Sequence, residues 1–214
     1  MNPLIVTGTD TGVGKTVVSA MLTLALDAFY WKPIQAGIAD GTDRGRVAAM
    51  TGLSPARLPT GRFVLREALS PHRAAEIDGV EINLENLALP EVPEDRRLII
   101  EGAGGVLVPI NRALLQADLF AHWGGAAVLV ARTTLGTINH TLLSLEALKA
   151  RNIPVLGIVF VGEAMPDSER PIVEFARVKR LGRLPILPEL HVTALRAAFA
   201  AHFQARDFEA SDGG

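Results

Sequence analysis

Near the start of the chain, "VTGTDTGVGKT" (Val6–Thr16) sets glycines, a lysine and a threonine in the order that cradles phosphate. In such a loop, backbone N–H groups between a strand and a helix point at the anion, and the helix N-terminus adds partial positive charge. Lys15 is placed to reach the terminal phosphates and the Thr16 hydroxyl to hold Mg²⁺. The spacing departs from the common form: counting back five residues from Gly14 reaches Thr9 rather than a glycine, Gly8 lying one residue further out, and an acid, Asp10, lies inside the loop. A glycine-rich turn with a capping threonine has a similar composition. The Val-Gly-Lys-Thr ending directly after a strand favours phosphate.

A phosphate-bound Mg²⁺ calls for carboxylates beside the threonine. "LIIEG" supplies Glu101, an acid at the end of an apolar strand that a solvated surface position does not explain. Asp43 is a second candidate at the start of a helical stretch, where helix capping accounts for it equally well. Lys32, in "YWKPIQAG", sits between an apolar run and Pro33. A second cation beside a triphosphate offsets the charge that develops on the γ-phosphate. "GAGGVL" lacks the third glycine of a dinucleotide fingerprint, and Pro109 argues against an immediate helix. The five histidines show no metal-ligand spacing.

The elements that must position these residues read as alternating strands and helices. Pro3–Thr7 predicts a strand and Gly14–Asp27 a helix with Val17, Met21, Leu24 and Leu26 on its buried side. "FYWKPIQ" predicts a second strand with Pro33 near its end, and Thr42–Thr51 a short helix closed by Gly52. "RRLIIEGAGG" is a strand entering a glycine loop, and "AAVLVA" is another strand. Helix Ile138–Ala150, strand "IPVLGIVFV", helix Ser168–Arg180, strand "RLPIL" and helix Thr193–Gln204 complete the pattern. Strands apolar on both faces, separated by helices, imply an α/β fold: a mainly parallel sheet flanked by helices on both faces. Ligands bind such sheets at the strand carboxyl ends, where Thr7–Thr16, Gln35–Gly37 and Glu101–Gly105 fall. One domain is expected over 1–208, with 209–214 a disordered tail.

Composition excludes several functions. The chain has no cysteine, which removes thiolate catalysis and cysteine-held metal. A net charge of -2 supplies no basic field for nucleic acid or membrane. "MNPLIVTG" lacks the basic and long apolar regions of an export signal, so a cytoplasmic protein is the default.

Taken in order, "VTGTDTGVGKT", "WKPIQAG", "SPH" (Ser70–His72), "EGAGGVLVPI" and "LGTINHTLLSLEAL" (Leu135–Leu148) resemble the motifs of the dethiobiotin synthetases, from Val6 to about residue 160. The displaced first glycine is that family's form of the loop. The resemblance implies a P-loop NTPase-like fold and an ATP- and Mg²⁺-dependent ligase of biotin synthesis. Such an enzyme joins CO₂ (or bicarbonate) to 7,8-diaminononanoate. One amine forms a carbamate, the carbamate takes the γ-phosphoryl of ATP, and the second amine displaces phosphate to close the ureido ring. No protein nucleophile is needed.

By matching motifs, Lys32 is the catalytic lysine with Lys15 beside it, and Thr16, Asp43 and Glu101 hold the metal. The nucleotide is expected along Gly12, Val13, Gly14, Lys15, Thr16 and Val17, beside Asp43 and Glu101, and along Gly102, Ala103 and Gly104. Thr11, Ala36 and Asn139 face the substrate, Asn139 reaching the substrate held by the partner of a homodimer. Three departures stand out. Gly12 occupies a place where many members carry Glu. Ala36 replaces a Ser or Thr. Val161 and Gly162 replace an Asn followed by an acid that reads adenine. Base recognition then falls to backbone groups, including Pro185, Ile186 and Leu187 of "RLPILPEL" (Arg183–Leu190), and discrimination among nucleotides is expected to be weak.

Two related classes fit less well. ParA/MinD-like partitioning ATPases carry a lysine five residues before the loop lysine, where this chain has Asp10. Cobyrinate amidating enzymes need a nucleophilic cysteine that is missing here.

Overall fold

The apolar, β-branched run Leu4–Gly8 forms the innermost strand, β1, and all five of its residues are buried. The computed structural model describes residues 2–209, so the expected tail lies outside the described residues except for Glu209. In chain order the elements are β1, α1 (Lys15–Ala25), β2 (Phe29–Trp31), β3 (Ile34–Ala36), α2 (Asp43–Thr51), β4 (Phe63–Leu65), α3 (Pro71–Asp78), β5 (Leu98–Glu101) and α4 (Gln116–Trp123). They continue with β6 (Ala126–Arg132), α5 (Thr137–Lys149), β7 (Val155–Val161), α6 (Pro166–Ala176), β8 (Arg180–Leu184) and α7 (Val192–His202).

Six strands form one sheet in the order β2-β5-β1-β6-β7-β8, and every pairing is parallel. Alternation along the strands feeds two cores, one on each face. Ile5, Trp31, Ile100, Leu129 and Phe160 enter one core, while Leu4, Val6, Tyr30, Ile99, Val130 and Val159 enter the other. This is the doubly covered parallel sheet that the apolar strands imply. Among the described residues, no helix is long and apolar enough to cross a membrane.

Several local expectations are corrected. "FYWKPIQ" is not one strand. Pro33 lacks an N–H and locks φ, so the chain leaves the main sheet after Trp31. Ile34–Ala36 then pairs in parallel with β4 as a separate two-stranded sheet. Helix α1 buries Val18, Met21 and Leu22 most deeply, with Val17, Leu24 and Leu26 only half-buried. The reason is that α1 packs against α2 and α7 as well as the sheet.

Helix α6 begins two residues earlier than expected and stops at Ala176, because Arg177 adopts a left-handed conformation. That frees Arg180–Leu184 for β8, which ends before Pro185 rather than running through it. Helices α5 and α7 shift by one or two residues. Helices α3 and α4 were not anticipated; both are short, and α3 follows Ser70 with Pro71 in its first turn.

Candidate nucleotide and metal site

The loop from Gly8 to Gly14 turns on glycines in the left-handed region, Gly12 at φ +73° and Gly14 at φ +101°. Gly14 is the N-cap of α1. A side chain there would press on Val161 at 3.1 Å, so the loop and the end of β7 are in direct contact. Lys15 is buried and its ammonium donates to the Asp10 carbonyl at 2.7 Å. Burial pushes this ammonium down to about 8, and the nearby Lys32 charge adds to the effect. Arg132, at the end of β6, pairs with the Asp10 carboxylate at 3.2 Å and donates to the Thr11 carbonyl.

The strand order brings the remaining charged residues together. Trp31 lies opposite Ile100, and Val6 opposite Glu101, so the carboxyl ends of β2, β5 and β1 open side by side. Glu101 is 1% exposed. Its Oε1 accepts from Lys32 Nζ at 2.9 Å and from Thr16 Oγ1 at 2.9 Å. Its Oε2 accepts from the Tyr30 hydroxyl at 2.9 Å. Lys32 Nζ also meets Asp43 Oδ2 at 3.0 Å and donates to the Gly102 carbonyl at 3.1 Å.

The alternative for Asp43, a helix cap, goes to its neighbour: Thr42 is the N-cap of α2, accepting from Gly45 N at 3.1 Å. Asp43 therefore keeps its carboxylate for Lys32. Its own N–H is held by Gln35 Oε1 at 2.9 Å.

These charges shape one another. Burial alone would lower the Lys32 ammonium, yet Glu101 and Asp43 outweigh it and raise it. Burial would raise the Asp43 carboxyl, but Lys32 beside it holds it below the usual carboxylate range. Burial, together with the Glu101 charge, pushes the Tyr30 phenol well up, so it stays a neutral donor.

One hydroxyl and two carboxylates converge here, all oxygen donors, with Lys32 between the acids. Mg²⁺ is typically held through one or two carboxylates together with substrate phosphates, so this donor set fits it. No cluster of three or more His, Cys, Asp or Glu suited to a metal occurs among the described residues.

Beyond the loop, a cavity of about 360 Å³ is walled by Gly12–Gly14, Val17, Val161, Gly162 and Leu184–Leu187. It contains the residues expected around the base, Pro185, Ile186 and Leu187 included. The glycine loop after β5 is anchored by Gly102 N to the Val6 carbonyl at 2.9 Å and by Ala103 N to Gln116 Oε1 at 3.2 Å. A side chain on Gly104 would stand 3.5 Å from Thr11 Oγ1, so these two residues face each other. Ala36 is half-buried at the end of β3, and Asn139 is exposed in the first turn of α5. Asn139 forms no side-chain hydrogen bond among the described residues. Gln35 lies in a stretch expected at the strand ends, whereas Tyr30, Arg132 and Thr133 were not legible as site residues in the sequence. Tyr30 read as strand core, and the signal for Arg132 and Thr133 was only their place after the apolar run "AAVLVA".

A family model described as an AAA domain matches residues 2–193. The ATP-dependent dethiobiotin synthetase BioD of Rhodopseudomonas palustris strain HaA2 is 60% identical over 206 residues, covering 96% of each chain. The protein of the same name from Novosphingobium aromaticivorans is 53% identical over 208 residues, 97% of this chain and 100% of that one. Solved structures show the same fold at low identity. The cell division ATPase MinD of Pyrococcus furiosus has a TM-score of 0.52 at 15% identity, covering 97% of this chain and 98% of that one. Apo McdA of Cyanthece has a TM-score of 0.57 at 13% identity, covering 92% and 90%.

Proposed function

This chain belongs to the ATP-dependent dethiobiotin synthetase family, and from that premise we propose how its residues divide the work of an ATP-driven, ring-closing ligase. The substrates on this reading are ATP, 7,8-diaminononanoate and CO₂. The observation that carries it is the buried Lys32 ammonium, 2.9 Å from Glu101 and 3.0 Å from Asp43, with Glu101 also held by the Thr16 hydroxyl at the mouth of the phosphate loop.

Lys15 leaves the Asp10 carbonyl for the β- and γ-phosphates, exchanging a neutral acceptor for a charged one. Thr16, Asp43 and Glu101 would hold Mg²⁺, which would supply neutralisation of the phosphate charge. Carbamate attack on ATP brings two anions together, and Lys32 offsets their repulsion as charge moves onto the transferring phosphoryl. The carbamate oxygen bonds to the γ-phosphorus as ADP departs. The second amine then attacks the carbamoyl carbon, and phosphate leaves with the C–O bond. The apolar wall from Leu184 to Leu187 receives the base, and Thr11 with the loop Gly102–Gly104 borders the substrate and phosphate.

The assembly we infer is a homodimer in the cytoplasm. The first turns of α5 and the loop before it expose Leu135, Ile138 and Leu143 beside Asn139, a surface suited to burial against a second copy. Asn139 would then reach the substrate of the partner's site. Phosphate release from ATP, followed with and without diaminononanoate and bicarbonate, tests the reading. A product of dethiobiotin mass is expected only in the complete mixture, and its absence there overturns the assignment.

A further inference from the structure

Three polar side chains stand in the wall of the base cavity: Arg132, Thr133 and Thr134. Arg132 is engaged with Asp10 and Thr11. Thr134 is exposed to solvent. Thr133 is 3% exposed, and its hydroxyl has no hydrogen-bond partner among the described residues. Unlike the hydroxyls of Thr7 and Ser19, it is not one of the fully buried side-chain atoms left without a partner, so it is open to the cavity that the residue lines. A free hydroxyl in the wall of a ligand cavity can pair with the occupant.

The position of this hydroxyl is tightly set. Thr133 N donates to the Val161 carbonyl at 3.2 Å, tying the ends of β6 and β7 together. A Cβ at residue 162 would lie 2.5 Å from Thr133 Oγ1, closer than any real contact, and Gly162 has φ +127°. A side chain at 162 and the hydroxyl at 133 are therefore mutually exclusive in this geometry. The backbone of Gly162 offers little in exchange. Its N–H donates to the Leu184 carbonyl at 3.0 Å, and its own carbonyl accepts from Arg183 Nη1 at 2.9 Å.

We propose that Thr133 is a nucleotide-binding residue whose hydroxyl hydrogen-bonds the polar edge of the base, supplying from just after β6 the contact that Val161 and Gly162 lack at the end of β7. The proposal rests on the nucleotide site assigned above. A hydroxyl both donates and accepts, so it serves an exocyclic amine or an exocyclic oxygen. That accords with weak discrimination among bases.

The test compares ATP with ribose 5-triphosphate, which keeps the sugar and phosphates but lacks the base. Calorimetric titrations of the full chain, with Mg²⁺ and without diaminononanoate or CO₂, use the wild type, Thr133→Val and Thr133→Ser. Thr133→Val should weaken ATP about tenfold, the scale of one lost buried hydrogen bond, and leave ribose 5-triphosphate unchanged. Thr133→Ser should restore ATP binding. Unchanged ATP affinity in Thr133→Val, or an equal loss for both ligands, overturns the proposal. If the valine variant does not fold, Thr133→Ala replaces it in the same comparison. Because no ring-closing substrate is present, binding tests Thr133 independently of whether the enzyme makes dethiobiotin.

Discussion

Lys32 and Glu101 meet at 2.9 Å with side chains 7% and 1% exposed, so each is the other's main compensation for leaving water. A pair of this kind is costly to break from one side only, because the remaining charge stays buried. Lys32→Ala is therefore expected to lower kcat by about 10²–10³, the scale of one lost transition-state donor. It should also lower stability by about 3–5 kcal/mol, since Glu101 and Asp43 lose their shared cation. Steady-state kinetics and denaturant unfolding read the two effects separately. Wild-type turnover would remove Lys32 from the mechanism.

Lys15 should behave differently, because its present partner is a neutral carbonyl. Lys15→Ala should abolish turnover and weaken ATP binding, with stability unchanged or slightly raised, since a buried ammonium is removed. A titration that finds undiminished ATP affinity would contradict its assignment to the phosphates.

Tyr30→Phe removes the donor to Glu101 Oε2 and keeps the ring in the core. Leaving that carboxylate oxygen unpaired should destabilise the fold by about 1–3 kcal/mol. A freer Glu101 should also raise the Mg²⁺ concentration needed for half-maximal rate. Glu101→Gln should raise it far more and Asp43→Asn somewhat less. Superimposable Mg²⁺ curves for all three variants and the wild type would mean that the ion is held elsewhere.

Base selection should be loose. Val161 and Gly162 present no polar side-chain group, and the loop Gly12–Thr16 is indifferent to the base. The Thr133 hydroxyl pairs with an amine or an oxygen alike, so what is lost is a base-selective contact of about 1–3 kcal/mol, and GTP, CTP and UTP should support turnover within roughly tenfold to a hundredfold of ATP. Comparing kcat/KM for the four nucleotides decides it. A preference of several thousandfold for ATP would show that an adenine-selective site survives.

Asp118 carries a pH-dependent share of stability. Its carboxyl is held below the usual range by Arg151 Nε at 2.7 Å, assisted by Leu115 N–H at 2.8 Å. A depressed folded-state value adds stability that is fully present above about pH 4 and disappears as pH falls through the folded value. Asp118→Asn should therefore cost about 1 kcal/mol at pH 7, the scale of a helix cap, and almost nothing near pH 2. Equal costs at both pH values would show that the charge is not responsible.

The phosphate loop was legible in the sequence because its parts are neighbours along the chain: an apolar strand, a glycine turn and a helix start within Val6–Thr16. Glu101 stood out for a similar reason, as an acid ending an apolar strand. Asp43 was ambiguous, since capping and metal binding ask for the same residue type at the same helix position. Only the fold separated them, by giving the cap to Thr42 and turning Asp43 toward Lys32. Tyr30 could not be distinguished from core, because its hydroxyl finds a partner 71 residues away. Thr133 gained meaning only when β6 and β7 paired and placed its hydroxyl against Gly162. Local pattern determines where strands and helices form, because backbone geometry repeats over a few residues. Which buried polar atoms meet depends on the order in which those strands lie side by side, and here that order, β2-β5-β1-β6-β7, assembled the site.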